Sequence, residues 1–150
     1  ASDAGFGFIA KLEDLYARVR AGKAVLNLTE GAKVLCPVPV SPAEGSADMY
    51  IAAVFGEGRL LVFPASELPE MARGKGNRIF GTPTGKGAEP EKLVAVATLA
   101  EGQKLVVWCA DRSMTLTWKE LGDYRGERAQ RGAVLSRNYR KVDRLEVPAT

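Results

Sequence analysis

The residues best equipped for chemistry in this chain are cations set among glycines. Arg73-Gly74-Lys75-Gly76-Asn77-Arg78 places three positive charges and an amide on a backbone that glycine frees for positive φ and for close approach to another surface. Such a loop suits phosphate oxygens, contacts that position a duplex without reading its bases. Two further clusters share the character, Arg18-Val19-Arg20-Ala21-Gly22-Lys23 and Arg128-Ala129-Gln130-Arg131-Gly132. From Arg125 to Arg144 seven basic residues face two acids, Glu127 and Asp143. The candidate phosphate contacts are therefore Arg18, Arg20, Lys23, Arg73, Lys75, Arg78, Arg128, Arg131, Arg137, Arg140 and Lys141. No helix or ribbon with paired amides and arginines is presented for base edges, so the binding these loops would support is independent of sequence. One such loop alone is equally an ordinary solvated turn; recurrence is what favours a function.

The remaining reactive residue types point to structure. Asp14, Glu67 and Glu120 each precede a leucine in a turn-like context, where a carboxylate caps backbone N–H groups. Gly81-Thr82-Pro83-Thr84-Gly85-Lys86-Gly87 has the glycines and lysine of a phosphate loop. No Ser or Thr follows the lysine and no helical pattern follows the loop, so a nucleotide site is not expected. Cys36 and Cys109 lie in or beside apolar runs and read as small buried hydrophobes. The chain has no histidine, the commonest zinc ligand and acid-base residue, and a metal or cofactor is not expected.

The elements that must carry the loops are short strands. Leu60-Leu61-Val62-Phe63 is apolar at four successive positions, which predicts a strand buried on both faces, and Pro64 and Pro69 bar a helix from continuing it. The pattern repeats. Asp14, Glu67 and Glu120 stand 53 residues apart, and Gly22, Gly74 and Gly132 follow them at intervals of 52 and 58. A period near fifty indicates units that bury their faces only against neighbours. Ile9, Leu12, Tyr16 and Val19 have helical spacing, yet the matching positions carry Pro64 and Pro69 or Thr115, Thr117 and Trp118, so a strand followed by a short turn is expected there.

Residues 24–28 and 34–40 read as short strands around a turn at 29–33, with Pro37 and Pro39 sending the second to a sheet edge. Residues 41–46 read as a surface loop. Residues 49–55 and 59–63 form a hairpin around Gly56-Glu57-Gly58, and the loop at 82–90 is longer and rich in breakers. A second hairpin system runs through 92–99, 103–110 and 114–118, turning at Glu101-Gly102 and at Asp111-Arg112-Ser113. Residues 93–97 and 105–109 are apolar throughout, which predicts two buried faces and sheets stacked face to face. Residues 133–135 and 142–147 close the chain. This amounts to two nearly complete units with portions at each end.

These runs resemble the C-terminal domain of the A subunits of bacterial type IIA topoisomerases. The resemblance is carried by Ser2-Asp3-Ala4-Gly5-Phe6-Gly7-Phe8, Asp14-Leu15-Tyr16-Ala17-Arg18-Val19-Arg20-Ala21-Gly22-Lys23-Ala24, Gly58-Arg59-Leu60-Leu61-Val62-Phe63-Pro64, Glu67-Leu68-Pro69, Arg73-Gly74-Lys75-Gly76-Asn77, and Gly126-Glu127-Arg128 with Arg131-Gly132. It implies an all-β fold: a β-pinwheel, propeller-like, of four-stranded antiparallel blades of about 50 residues, here a single domain over 1–150 with about three repeats and incomplete end blades. The gyrase branch carries a Gln-Arg-Arg-Gly-Gly-Lys-Gly box, of which Glu70-Met71-Ala72-Arg73-Gly74-Lys75-Gly76 matches only the last part. The topoisomerase IV branch is therefore the nearer one, with DNA bending in place of gyrase-type wrapping.

The resemblance further implies a non-catalytic role in ATP-dependent decatenation and supercoil relaxation during chromosome segregation. The DNA-cleaving tyrosine of these enzymes belongs to another region, so Tyr16, Tyr124 and Tyr139 are not catalytic candidates. The implied partners are double-stranded DNA and, through other regions, a dimer of A subunits and the B subunit of topoisomerase IV. ATP and Mg2+ would serve elsewhere in the parent. The implied location is cytoplasmic and nucleoid-associated, at times against the inner face of the cell membrane.

Composition bounds these expectations. A chain of 150 residues, 46% hydrophobic and 26% charged, can bury a core, and neither a membrane-spanning run nor a signal-peptide pattern is present in it. A net charge of +3 is too mild to imply nucleic acid, so the clustering of cations carries that inference. The alternatives are a gyrase-type DNA-wrapping domain, which the resemblance also admits, and a propeller-like protein-interaction scaffold, its basic rim meeting an acidic partner. An independent enzyme lacks a convergent acid-base or metal constellation.

Overall fold

Apolar runs of five to eight residues broken by glycine turns are too short for stable helices and match the usual strand length. The computed structural model describes residues 1–40, 48–83, 85–89 and 91–148. Among these are nine strands: β1 (Phe6–Gly7), β2 (Met49–Phe55), β3 (Arg59–Pro64), β4 (Asn77–Arg78), β5 (Leu93–Ala100), β6 (Leu105–Cys109), β7 (Arg112–Leu116), β8 (Ala133–Val134) and β9 (Arg144–Glu146). Among the described residues the helical content is limited to 3-10 turns at Leu12–Leu15, Ala65–Glu67, Glu120–Tyr124 and Arg137–Tyr139. Three of these coincide with the acid-leucine pairs. The helical spacing from Ile9 to Val19 yields only the first turn, because Leu12, Tyr16 and Val19 are exposed and no surface rewards an amphipathic face.

The central sheet has the order β5-β2-β3-β8, all antiparallel, and its β2–β3 hairpin turns through Gly56-Glu57-Gly58 as expected. Alternate side chains of this hairpin enter two different cores. Ala52, Val54, Leu60 and Val62 join Leu99, Leu105, Val107, Leu121 and Leu135. Ile51, Ala53, Phe55, Leu61 and Phe63 join Leu68, Ile79, Phe80 and Leu93, with the Phe55 and Phe80 rings stacked 4.1 Å apart. Double burial of Leu60-Leu61-Val62-Phe63 is therefore real, each large side chain contributing about 1.5–3 kcal/mol.

Double burial is incomplete for residues 93–97, which send Leu93 and Ala97 into different cores, and fails for 105–109. Along β6, Leu105, Val107 and Cys109 are buried while Val106 and Trp108 are half-exposed, and in β5 Val94 is exposed. The reason is topological: β5 joins β2, whereas β6 begins a separate sheet, β7-β6-β9, that is packed on one face. Glu101-Gly102 is thus a corner between sheets and not a hairpin turn. The β6–β7 hairpin does form, but it turns at Ala110-Asp111, one residue earlier than expected. Ala110 has φ 52°, and its N–H donates to the Asp143 carboxylate.

Residues 24–28 and 34–40 do not become strands. They make single bridges, Leu26 to Gly74 and Ser2 to Val34, and no ladder extends from either, since Pro37 and Pro39 lack the N–H it would need. The turn between them is present, with Ala32 N–H donating to the Thr29 carbonyl at 3.0 Å. Residues 41–46 lie outside the described residues, as do Thr84 and Pro90 of the loop at 82–90.

One contact recurs. Phe6 pairs with Arg78 and Gly7 with Asn77; 53 residues later Arg59 pairs with Val134 and Leu60 with Ala133. Beside them, Ile79 N–H donates to the Gly5 carbonyl (2.7 Å) and Leu135 N–H to that of Gly58 (2.8 Å). Parallel bridges Ile9–Glu70 and Val62–Arg125 complete each clasp. On β7 the corresponding position is Ser113, whose carbonyl takes the Tyr139 hydroxyl (3.0 Å), one way of blunting a strand edge.

Candidate nucleic-acid interface

The clasps build the basic loops. The peptide of Gly74 is hydrogen-bonded on both sides to the chain just after the first loop: Gly74 N–H to the Val25 carbonyl and Asn27 N–H to the Gly74 carbonyl, both 2.9 Å. The third loop repeats this, with Ala129 N–H to the Ile79 carbonyl (3.0 Å) and Gly81 N–H to that of Gln130 (2.8 Å). Each loop is thus fixed to the chain leaving the previous one. The chain just after the first basic segment lies against the second segment, and the chain just after the second lies against the third.

Glycine has a different purpose here from the one expected. Gly76 (φ 81°) lies on the carbonyl of Gly7 and Gly132 (φ 61°) on that of Leu60, so a Cβ at either would collide with backbone. The close approach that glycine permits is to the protein's own preceding strand.

Arg18, Arg20, Lys23, Arg73, Lys75, Arg137, Arg140 and Lys141 are exposed, and Arg78 is half-exposed. Lys75 Nζ sits 4.0 Å and Arg78 Cζ 5.0 Å from the centre of the Phe6 ring, a cation–π arrangement that orients both charges. Lys23 Nζ donates to the Asp14 carbonyl at 2.7 Å. Two candidates are engaged internally. Arg128 donates from Nε to the Glu67 carbonyl (3.0 Å) and from Nη1 to that of Arg78 (2.7 Å), joining the second and third loops. Arg131 donates to the Gly81 carbonyl (2.8 Å) and clamps the Glu91 carboxylate with both terminal nitrogens.

Two exposed arginines outside the candidate set lie on indole faces, Arg125 on Trp118 (4.8 Å) and Arg144 on Trp108 (4.6 Å). Both belong to the basic run from Arg125 to Arg144. Neither stands within one of the recurring glycine loops, and the Trp108 pairing bridges 36 residues, so local pattern does not single them out.

Two of the three acid-leucine carboxylates, those of Glu120 and Glu67, accept backbone N–H groups, whereas Asp14 takes part only through its main-chain carbonyl. Glu120 accepts from Thr117 N–H (2.8 Å) and hydroxyl (2.7 Å), a reciprocal cap that holds its pKa below the ordinary carboxylate value. Glu67 Oε1 accepts from Arg128 N–H at 3.3 Å. Asp14 contributes its carbonyl to Lys23. Among the described residues no three His, Cys, Asp or Glu side chains converge as metal ligands. Cys109 is buried, and burial followed by the nearby Asp143 charge pushes its thiol up. Cys36 is exposed, contrary to the expectation, because the segment around it joins no sheet. Among the described residues no helix is long and apolar enough to cross a membrane.

No protein-family model matches the chain. It is 45% identical over 148 residues to the A subunit of DNA topoisomerase 4 from Pseudomonas aeruginosa and 39% identical over 148 residues to its counterpart from Escherichia coli K12. Each alignment takes in 98% of this chain and 19% of the relative, so the chain spans about a fifth of these relatives' length. Its backbone superposes on the Escherichia coli ParC C-terminal domain with a TM-score of 0.81 at 38% identity, covering 100% of this chain and 59% of that one. Against the DNA gyrase A C-terminal domain the TM-score is 0.71 at 18% identity, covering 99% and 49%, a likeness of fold alone.

Proposed function

Since the chain belongs to the family of topoisomerase IV A subunits and matches their C-terminal domain, we propose that it binds and bends duplex DNA for the parent enzyme. The reading treats 1–150 as one β-pinwheel unit of about three repeats. The observation that carries it is the succession of basic loops, the second and third held by backbone hydrogen bonds to the chain before them, with Arg18, Arg20, Lys23, Arg73 and Lys75 of the first two exposed. Cations spaced along such a band neutralise successive phosphates of a curved duplex, and the affinity is salt-dependent and indifferent to sequence. Arg18, Arg20, Lys23, Arg73, Lys75, Arg78, Arg137, Arg140 and Lys141 are the contacts available as the protein stands. Arg128 orders the loops, and Arg131 is held by Glu91.

In the parent, cleavage and religation lie elsewhere, and this domain presents a second duplex to the gate for decatenation and relaxation. Its partners are DNA, the dimer of A subunits and the B subunit, in a bacterial cytoplasm near the nucleoid. Replacing Arg73, Lys75 and Arg78 together by glutamine should weaken binding about equally for unrelated duplexes and reduce the log–log salt slope by up to about 0.9 for each phosphate no longer neutralised. Loss confined to one sequence would show base readout instead.

A second reading, a protein-interaction surface, draws on the exposure of Leu12 (80%), Tyr16 (78%) and Val19 (64%) beside Arg18 and Arg20. Failure of the domain to bind DNA in a salt-dependent gel shift would favour it.

A further inference from the structure

Equivalent places in successive repeats are wired differently. In the second loop Phe6, on β1, holds Lys75 and Arg78 on its ring. By the recurring pairing, Phe6 corresponds to Arg59, Arg78 to Val134 and, counting back from the clasped glycines, Lys75 to Arg131. The aromatic platform is thus replaced by a second arginine, and Glu91 bridges the pair. Its carboxylate takes both terminal nitrogens of Arg131, with Nη2 to Oε1 at 3.1 Å, and lies 4.0 Å from Arg59 Nε. The backbone holds Glu91 there, since Gly56 N–H donates to the Lys92 carbonyl (2.9 Å) and Gly56 has no side chain to displace the acid.

The side chains of Glu91, Arg59 and Arg131 are 21%, 31% and 35% exposed. A two-pronged, partly desolvated pair of this kind is stronger than a surface ion pair, so a phosphate must compete with a tethered carboxylate. The pair lines an open cleft of about 450 Å3 shared with Glu57, Glu89, Lys92 and Arg140, which places it among the candidate contacts. Among the described residues Lys75 has no such acid.

Resting on the DNA-binding reading, we propose that Glu91 is an internal counter-anion that withholds Arg131 from duplex phosphates and so weakens the grip of the band at its third loop. The test is fluorescence anisotropy of the 150-residue chain on a labelled random-sequence duplex between about 50 and 200 mM salt. Glu91→Gln should bind roughly threefold to tenfold more tightly at the low-salt end and steepen the salt slope by about 0.9 for each phosphate newly engaged. Glu57→Gln, the same charge change without the clamp, should improve binding less. In an Arg131→Gln background the improvement from Glu91→Gln should fall to that smaller value.

Equal improvement by the two glutamate variants, or an improvement that survives Arg131→Gln, would overturn the proposal. So would weaker binding by Glu91→Gln at unchanged melting temperature, which would make Glu91 a positioner of Arg131 on phosphate. The wild-type protein gives an independent check by arginine side-chain NMR: saturating duplex should shift the Arg73 signal and leave that of Arg131 in place, and equal shifts would refute the withholding. Absence of salt-dependent binding by wild type would instead refute the DNA-binding reading itself.

Discussion

At the scale of single residues, the glycines of the basic loops illustrate how one residue type meets different demands. Gly76 and Gly132 combine positive φ with a carbonyl where a Cβ would go, whereas Gly22 (φ 87°) has no heavy atom near its Cβ position. Gly22→Ala should therefore cost only the left-handed penalty of about 1 kcal/mol, and Gly76→Ala or Gly132→Ala about 2–4 kcal/mol by adding a clash to it. Urea unfolding of the three variants measures the difference. The Thr117–Glu120 cap gives a pH signature. Its hydrogen bonds favour the charged carboxylate in the folded state, so the folded pKa lies below the unfolded one. The contribution is present above the unfolded value and disappears as pH falls through the depressed folded value. The stability gap between wild type and Glu120→Gln should accordingly shrink from about pH 6 to about pH 3, and a gap that held constant would exclude this linkage.

Elements in equivalent positions need not bear equal loads. Leu15, Leu68 and Leu121 each follow an acid at the 53-residue interval, but their exposures are 41%, 9% and 0%. Leu121 packs with Leu60, Val62, Leu105 and Val107. Leu121→Ala should cost about 2–5 kcal/mol by leaving a cavity, and Leu15→Ala well under about 1 kcal/mol because water already reaches it. Denaturant unfolding of the two variants compares them. Similar costs would mean that the repeats are packed alike, which the exposures contradict.

For the whole molecule, the distinction that matters is between cations that build the band and cations that face outward from it. Arg128 donates to two backbone carbonyls of the preceding repeat, that of Glu67 in its 3-10 turn and that of Arg78 on its basic loop. Arg128→Ala leaves both carbonyls short of a donor and should cost about 1–3 kcal/mol, lowering the melting temperature. Any loss of DNA affinity would then follow from disorder between loops. Arg73→Ala should leave melting unchanged and weaken DNA binding directly. Calorimetry beside a salt titration separates the two; a melting loss in Arg73→Ala equal to that in Arg128→Ala would remove the distinction.

Much of this is written in local pattern. The period of 53 residues, the β2–β3 hairpin, the 3-10 turns at the acid-leucine pairs and the basic loops are all read from residue types and spacing, because turns, breakers and strand alternation are set by near neighbours. What tertiary structure alone decided is pairing at a distance. Residues 93–97 and 105–109 are equally apolar, yet they enter different sheets, and the second is covered on one face only. Residues 24–28 and 34–40 have the composition of strands and remain outside any ladder, since a strand exists only where a partner offers its hydrogen bonds. Arg131 and Lys75 look alike in their loops, and only the chain's return through Glu91, 40 residues away, pairs one of them with an acid. Burial and ion pairing depend on which segments meet, and that is settled by the packing of the whole chain.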